Sequence, residues 1–307
     1  MTIKTLEIQS LTKWYGSVCG IEDISFDINQ GEIFGYLGPN GSGKSTTIRC
    51  AMGLLKATSG QTHIFGQRVK PGRATQHNRI GYLPGDFRIW RNLRAHKSLD
   101  VLAAIGNKNH TRKRCEELAE RLGLDLNRPV GELSKGNRQK VGIIYAFQHD
   151  PELLILDEPT SGLDPLVSQT VLELIREAAE NSATVLLSSH DLSEVSAVCG
   201  RAGILRQGRL VELSKISQIV QQGQRQLKVW FVGGTEVPVL PAEKLEGVRE
   251  IGRTEQSLHL TYQGKADTVL KWLAQFPVSR IATPQTSLEE AFIQYYSDSP
   301  EQNGGAL

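Results

Sequence analysis

The chain has 307 residues, 35 of them Lys or Arg and 33 Asp or Glu, giving a formal net charge of +2 and a pI near 8.3. A chain of this length can bury one large core and a smaller second one, and its near-neutral balance lacks the basic surplus of a nucleic-acid binder, so no nucleic-acid partner is expected. No window holds the roughly eighteen apolar residues that a membrane helix needs, and Cys19, Cys50, Cys115 and Cys199 show neither a CxxC pair nor disulfide spacing.

The N-terminus, MTIKTLEIQS, lacks the apolar segment of a secretion signal, so a cytosolic chain is expected, with cysteines as small apolar fillers. Leu6 and Ile8, then Ile24, Phe26 and Ile28, alternate as in antiparallel strands. IFGYL, Ile33 to Leu37, is a short apolar strand running into a glycine-rich loop, and a helix is predicted from Lys44 to about Lys56. Further apolar runs follow, IGYL (80–83), LLILD (153–157), TVLLSS (184–189) and AGILR (202–206), separated by helical patterns. That alternation predicts a parallel sheet covered on both faces. From Trp90 to Asp150 the pattern is helical throughout, which predicts a helical subdomain, about 90–150, inserted in the α/β core. The composition turns polar and glutamine-rich between Lys215 and Arg225. A boundary there divides the chain into domains 1–215 and 216–307. In the second, Leu258, Leu260 and Tyr262 alternate as a strand, and Val269, Trp272, Leu273 and Phe276 fall at helical spacing. A last helix is predicted from Ser287, with a capping box to Glu290, before a frayed tail.

GPNGSGKST, spanning Gly38, Pro39, Asn40, Gly41, Ser42, Gly43, Lys44, Ser45 and Thr46, matches the phosphate-loop pattern between a strand and a helix. Its glycines let backbone N–H groups surround phosphates. Lys44 should reach the β- and γ-phosphates, and the Ser45 hydroxyl should ligand Mg²⁺. The expected fold class is therefore α/β: a P-loop NTPase core with an antiparallel β subdomain and an inserted helical subdomain, plus a small C-terminal α+β domain.

LLILDEPTSGLD ends a buried strand at Asp157, whose carboxylate is placed to meet Mg²⁺. Glu158 beside it is placed to orient and activate water for attack on the γ-phosphate; two adjacent acids could otherwise cap the next helix. His190, after another apolar strand, is by itself as readily structural as catalytic. Tyr15, in KWYG, is an aromatic at a strand end that could equally be packing. A second cradle begins at GELSKGNRQK, where Ser134 stands at a helix N-cap with Gly136 following, and Val141, Ile144 and Tyr145 form the apolar face.

Taken together, KWYG, GPNGSGKST, IGYLPGDF, LSKGN, LLILDEP, SGLD and SSHD resemble, in order and spacing, the nucleotide-binding subunit of ATP-binding-cassette (ABC) transporters. The resemblance covers roughly residues 3 to 213. It implies that Tyr15 stacks on adenine, that His190 contacts the γ-phosphate, and that Asp164 links two active sites across a dimer. It implies that Ser134 and Gly136 face the ATP of a second copy, so that a homodimer, or a heterodimer with a related cassette, shares two ATP sites. Two motifs depart from the family pattern. Lys135 and Asn137 replace Gly and Gln of the usual Leu-Ser-Gly-Gly-Gln signature, and Gly85, followed by Asp86, replaces a coupling-loop Gln that touches Mg²⁺. YLPGDF, LSKGNRQK and the tail SLEEAF are similar to the ATPases of multidrug and antibiotic exporters. In that subgroup the ATPase pairs with a separate multi-helix permease, here expected to touch residues 85–95. The expected location is cytoplasmic, peripheral on the inner face of the cell membrane. A soluble cassette acting on ribosomes or DNA is the alternative, disfavoured by a single cassette, a short gap between phosphate loop and signature, and near-neutral charge. A regulatory cassette without turnover is a third reading, opposed by Glu158, Lys44 and His190.

Overall fold

The computed structural model of the chain describes residues 3–72, 77–106, 112–222, 225–233, 235–241, 245, 247–262 and 266–283. They fall into two compact units, Met1–Lys215 and Ile216–Leu307.

The first unit opens with the antiparallel pair β1 (Lys4–Tyr15) and β2 (Val18–Asn29), joined through Gly16 at φ 60°. Leu6, Ile8, Ile24, Phe26 and Ile28 point into the core, in the alternation read from the sequence. Strand β3 (Ile33–Leu37) leads through the glycine-rich loop into α1 (Lys44–Ala51). This helix stops short of the predicted Lys56. Gly53 takes φ 71°, and the amides of Leu54 and Leu55 turn back onto the carbonyl of Arg49, at 2.9 and 3.0 Å. A left-handed glycine just past the last turn ends a helix in this way.

Strands β4 (Ser59–Ile64) and β5 (Gln67–Arg68) complete a four-stranded sheet in the order β2-β1-β4-β5. Neither was legible as an apolar run. After β6 (Ile80–Leu83) come the helices predicted between 90 and 150: α2 (Ala95–Ile105), α3 (Arg112–Arg121) and α4 (Lys135–Phe147), with α4 packed on β6 and against both other helices. The chain then alternates through β7 (Leu153–Asp157), α5 (Pro165–Glu180), β8 (Thr184–Ser189), α6 (Leu192–Val198), β9 (Arg201–Arg206) and β10 (Arg209–Lys215). The second sheet has the order β10-β9-β3-β8-β7-β6 and is parallel except for β10. Every residue of β7 and β8 is buried, as strands covered on both faces require.

The two sheets share one core. Phe26 of β2 stacks on Phe34 of β3 with centroids 5.0 Å apart and leans on Tyr36 at 5.3 Å. Tyr36 also ties the sheet to α1. Thr47 Oγ1 donates to the Gly43 carbonyl at 3.1 Å, so the Tyr36 hydroxyl, 3.0 Å away, donates to Thr47. Burial accordingly pushes the Tyr36 phenol well above its ordinary pKa. Tyr36→Phe should cost about 1 kcal/mol, one net buried hydrogen bond, in a urea unfolding series.

The second unit holds α7 (Ile216–Gln222), β11 (Arg225–Phe231), β12 (Val248–Arg253), β13 (Ser257–Tyr262), α8 (Asp267–Leu273) and β14 (Val278–Ala282). Its antiparallel sheet runs β12-β13-β11-β14. Leu227, Val229, Leu258, Leu260 and Tyr262 pack against Val269 and Leu273 of α8. The polar stretch read as a boundary thus carries a short helix. The helix predicted from Ser287, and the tail, lie outside the described residues.

Candidate active site

Strand β8 lies between β3 and β7, so three carboxyl ends stand side by side: the phosphate loop after β3, Asp157 and Glu158 after β7, and Ser189 and His190 after β8. Open parallel sheets present ligand sites along this edge. The loop closes on α1 through Gly43, whose φ of 110° suits glycine alone and whose Cβ would stand 2.7 Å from Ile21.

Lys44, 5% exposed, donates to the carbonyls of Gly38 and Pro39 at 2.5 and 3.2 Å. Its ammonium also stands 3.0 Å from Glu158 Oε1, an ionic contact lacking hydrogen-bond alignment, since that oxygen accepts no hydrogen bond. Glu158 Oε2 lies 2.5 Å from His190 Nδ1. Lys44, Glu158 and His190 therefore form one connected chain of contacts. Glu158 itself sits at φ 54°, a conformation that non-glycine residues rarely adopt. Its amide is held by the carbonyl and hydroxyl of Ser188, at 3.1 and 3.2 Å.

Asp157 is fully buried. Its Oδ1 accepts from the Ser188 hydroxyl at 2.5 Å, and its Oδ2 has no partner. A buried carboxyl group with one oxygen lacking a hydrogen-bond partner is suited to a cation or to water held by one. Among the described residues no three His, Cys, Asp or Glu side chains gather as a metal cluster. That donor set fits Mg²⁺, which takes one or two protein oxygens and completes its shell with phosphates and water. Ser45, half-buried in the first turn of α1, would supply the second oxygen type. Ser188→Ala would strip Asp157 of its hydroxyl donor, and the expected cost is about 1–3 kcal/mol in denaturant unfolding.

The Gly85 position is informative. A Cβ there would stand 3.3 Å from Asp157 Oδ2, so the coupling loop brings backbone, not a side chain, to the bare carboxylate. Asp86 does not turn that way: its carboxylate accepts from Arg88 at 2.7 and 3.0 Å in an exposed pair. Arg88, with Arg49 and Lys135 further off, holds this carboxyl below its usual range. Lys135 lines a groove of about 510 Å³ together with Gly85, Asp86, Phe87, Arg88 and Arg138. Its aliphatic stem passes 3.9 Å from the Cβ position of Gly162.

The signature helix and the acidic strand are tied within one chain. Gly136 approaches so closely that a Cβ there would lie 2.8 Å from the Gly162 carbonyl. Gln139 Nε2 donates to the carbonyls of Glu158 and Pro159, both at 3.2 Å. Ser134 Oγ accepts from Asn137 N at 3.1 Å and Asp164 Oδ1 from Val167 N at 3.0 Å, so these side chains cap α4 and α5. Tyr15, the last residue of β1, is 49% exposed, with one edge against Gly20 and the Lys13 ammonium 5.2 Å from its ring centroid. Ser188, Gln139 and Thr160 were missed from the sequence. Hydroxyls and an amide carry no motif of their own: the register of β7 on β8 brings Ser188 to Asp157, and hydrogen bonds place Gln139 on the loop after β7 and Thr160 on Glu194.

A family model described as "ABC transporter" matches residues 21–161. The bacitracin transport ATP-binding protein of Bacillus licheniformis is 34% identical over 299 residues, covering 95% of this chain and 96% of that protein. The chain belongs to the ABC transporter ATP-binding proteins. The linearmycin resistance ATP-binding protein of Bacillus subtilis is 31% identical, over 83% of this chain and 84% of that one. A solved structure described as the ATP binding subunit of an ABC transporter is 32% identical, with a TM-score of 0.65, covering 71% of this chain and 92% of its own. A dimeric bacterial ABC transporter cassette, 23% identical with a TM-score of 0.63, covers 68% of this chain and 98% of its own and shares the fold. This ABC protein is a nucleotide-binding ATPase with the P-loop NTPase fold read from its motifs. Among its described residues no helix is long and apolar enough to cross a membrane.

Proposed function

We propose that residues 1–215 form the ATPase domain of an exporter for a drug-like or antibiotic compound. In this reading 216–307 is an accessory domain, and two cassettes drive a separate membrane permease from the inner face of the membrane. The observation that carries the catalytic part is the contact chain Lys44–Glu158–His190 at the carboxyl edge of the parallel sheet. The transport part is supported by relatives named for bacitracin transport and linearmycin resistance.

Lys44 and the loop amides of 38–46 bind the phosphates, and Tyr15 offers its exposed ring to the base. Ser45 and Asp157 would hold Mg²⁺, which when bound takes up charge on the phosphate oxygens. Glu158 orients water and accepts its proton, while His190, beside the same carboxylate, steadies the γ-phosphate. Most of the rate comes from positioning and charge, since phosphoryl transfer needs little covalent help. Ser134, Gly136 and Asp164 meet the nucleotide of the second cassette, where the α4 N-terminus offers amides and a positive dipole end. The groove beside Gly85 to Arg91 is the expected permease contact, and Lys135 belongs to that groove.

The test is affinity purification of the tagged full-length chain from mildly solubilised membranes, paired with antibiotic susceptibility of the same strain. Recovery of a polytopic membrane protein, with resistance lost in Glu158→Gln, is expected. Recovery with ribosomes or DNA, and no membrane partner, would overturn the transport assignment.

A further inference from the structure

We propose that Glu194 is a positioning residue that clamps the loop following Glu158 to the loop carrying His190. The inference rests on the roles given above to those two residues. Glu194 lies in the first turn of α6, where Asp191 Oδ1 caps the helix by accepting from Ser193 N at 2.9 Å and Glu194 N at 3.4 Å. From that fixed base one carboxylate oxygen serves both loops. Thr160 Oγ1 donates to Glu194 Oε2 at 2.8 Å, and Ser189 Oγ donates to the same oxygen at 3.0 Å.

Each hydroxyl is anchored in the segment it controls. Thr160 and Ser189 are both buried. Thr160 sits in the turn closed by Ser161 N to Glu158 O at 3.2 Å and Leu163 N to Thr160 O at 3.0 Å. Ser189 Oγ accepts from Asp191 N at 2.9 Å, which fixes the backbone on both sides of His190. Thr160, Ser161, Gly162, His190, Asp191 and Glu194 line a common cleft of about 470 Å³. The Glu194 carboxylate bridges the two loops at the wall of this cleft.

The placement is unusual for a solvent-facing helix residue. Burial raises the Glu194 carboxyl, the hydroxyls of Thr160 and Ser189 lower it, and the charges of Asp191 and Glu158 raise it further. A glutamate that merely decorated the helix would turn its head to water. Here it accepts from two hydroxyls, one on each loop. The contact that depends on this setting is His190 Nδ1 to Glu158 Oε2, at 2.5 Å. A misplacement of about 1 Å at such a pair can cost about 100-fold in rate without touching the binding loop.

The test compares Glu194→Gln, Glu194→Ala and Thr160→Val in the full-length chain. Readouts are steady-state ATP hydrolysis, titration of a fluorescent ATP analogue, and amide hydrogen exchange over residues 158–164 and 189–191. Glu194→Ala should lower kcat about 10- to 100-fold, the range for a misplaced catalytic group. Nucleotide affinity should stay within about twofold, because the phosphate loop is untouched. Exchange should rise over both loops together. Glu194→Gln keeps an oxygen that accepts both hydroxyls and should recover most of the lost rate. Thr160→Val alone should slow turnover, and added to Glu194→Ala it should cost nothing more, since the clamp is already open. Unchanged kcat in folded Glu194→Ala, Gln as defective as Ala, or additive losses in the double variant would each overturn the clamp. Should Glu194→Ala fail to fold, Thr160→Val at wild-type kcat and exchange would overturn it equally. Glu158→Gln assayed alongside separates the two layers. Full turnover there removes the role of Glu158, whereas a dead Glu158→Gln beside a normal Glu194→Ala removes only the clamp.

Discussion

Glu158→Gln should bind ATP, lose about 10²- to 10⁴-fold in turnover, the range for removing a general base, and accumulate as an ATP-bound dimer. The local structure makes this substitution clean. The residue's φ of 54° and its two amide contacts to Ser188 belong to the backbone, which an isosteric side chain leaves in place. What changes is the carboxylate, and with it the ion pair to Lys44 at 3.0 Å. Releasing Lys44 favours phosphate, so nucleotide affinity should hold or improve while proton acceptance is lost. Phosphate release, fluorescent-nucleotide titration and light scattering with ATP read the three parts separately. Normal hydrolysis by this variant would falsify the role given to Glu158.

Lys44→Ala and Ser134→Arg should each be inactive alone and restore hydrolysis when mixed. Lys44 is 5% exposed and directs its donors inside the phosphate site, so its loss should weaken ATP binding about 10- to 100-fold, as for charge-assisted hydrogen bonds. Ser134→Arg places a long side chain at the start of α4 and removes a cap worth about 1 kcal/mol. If the site is shared, each variant damages a different half. Random mixing then yields about half heterodimers with one intact site each, or about a quarter of wild-type activity. Two folded variants with no rescue at any ratio would show that the chain's own α4, not a partner's, serves its ATP.

The sequence made the phosphate loop, the acidic strand and the central strands legible, because each rests on local rules. IFGYL, LLILD and TVLLSS are short apolar runs with no polar face, and such runs are buried strands wherever they occur in an α/β chain. The helix after Lys44 was legible at its start and misread at its end. Its apolar pattern continues to Leu55, but Gly53 takes the left-handed turn that stops it. Strands β4 and β5 escaped notice because SGQTHI and QR carry little apolar signal, and their pairing, β4 on β1 and β5 on β4, is not a local pattern. In the candidate site the motif residues could be named, but not their contacts. Gln139 could not be distinguished from any other polar helix residue until its amide was seen on the carbonyls of Glu158 and Pro159.

The sequence by itself determined the family, the nucleotide chemistry and the residues able to carry it, because backbone amides, a lysine and a carboxylate pair at set spacings suit phosphate wherever they stand. Only the tertiary structure decided how those residues meet. Strand order put β8 between β3 and β7, and that adjacency brings Lys44, Glu158 and His190 into one chain of contacts. It also decided that Gly85 faces Asp157 with backbone alone, and that Glu194 reaches the two loops flanking the site. Contacts between segments more than a hundred residues apart, as Lys44 and Glu158 are, depend on strand register and crossover, which no local pattern encodes.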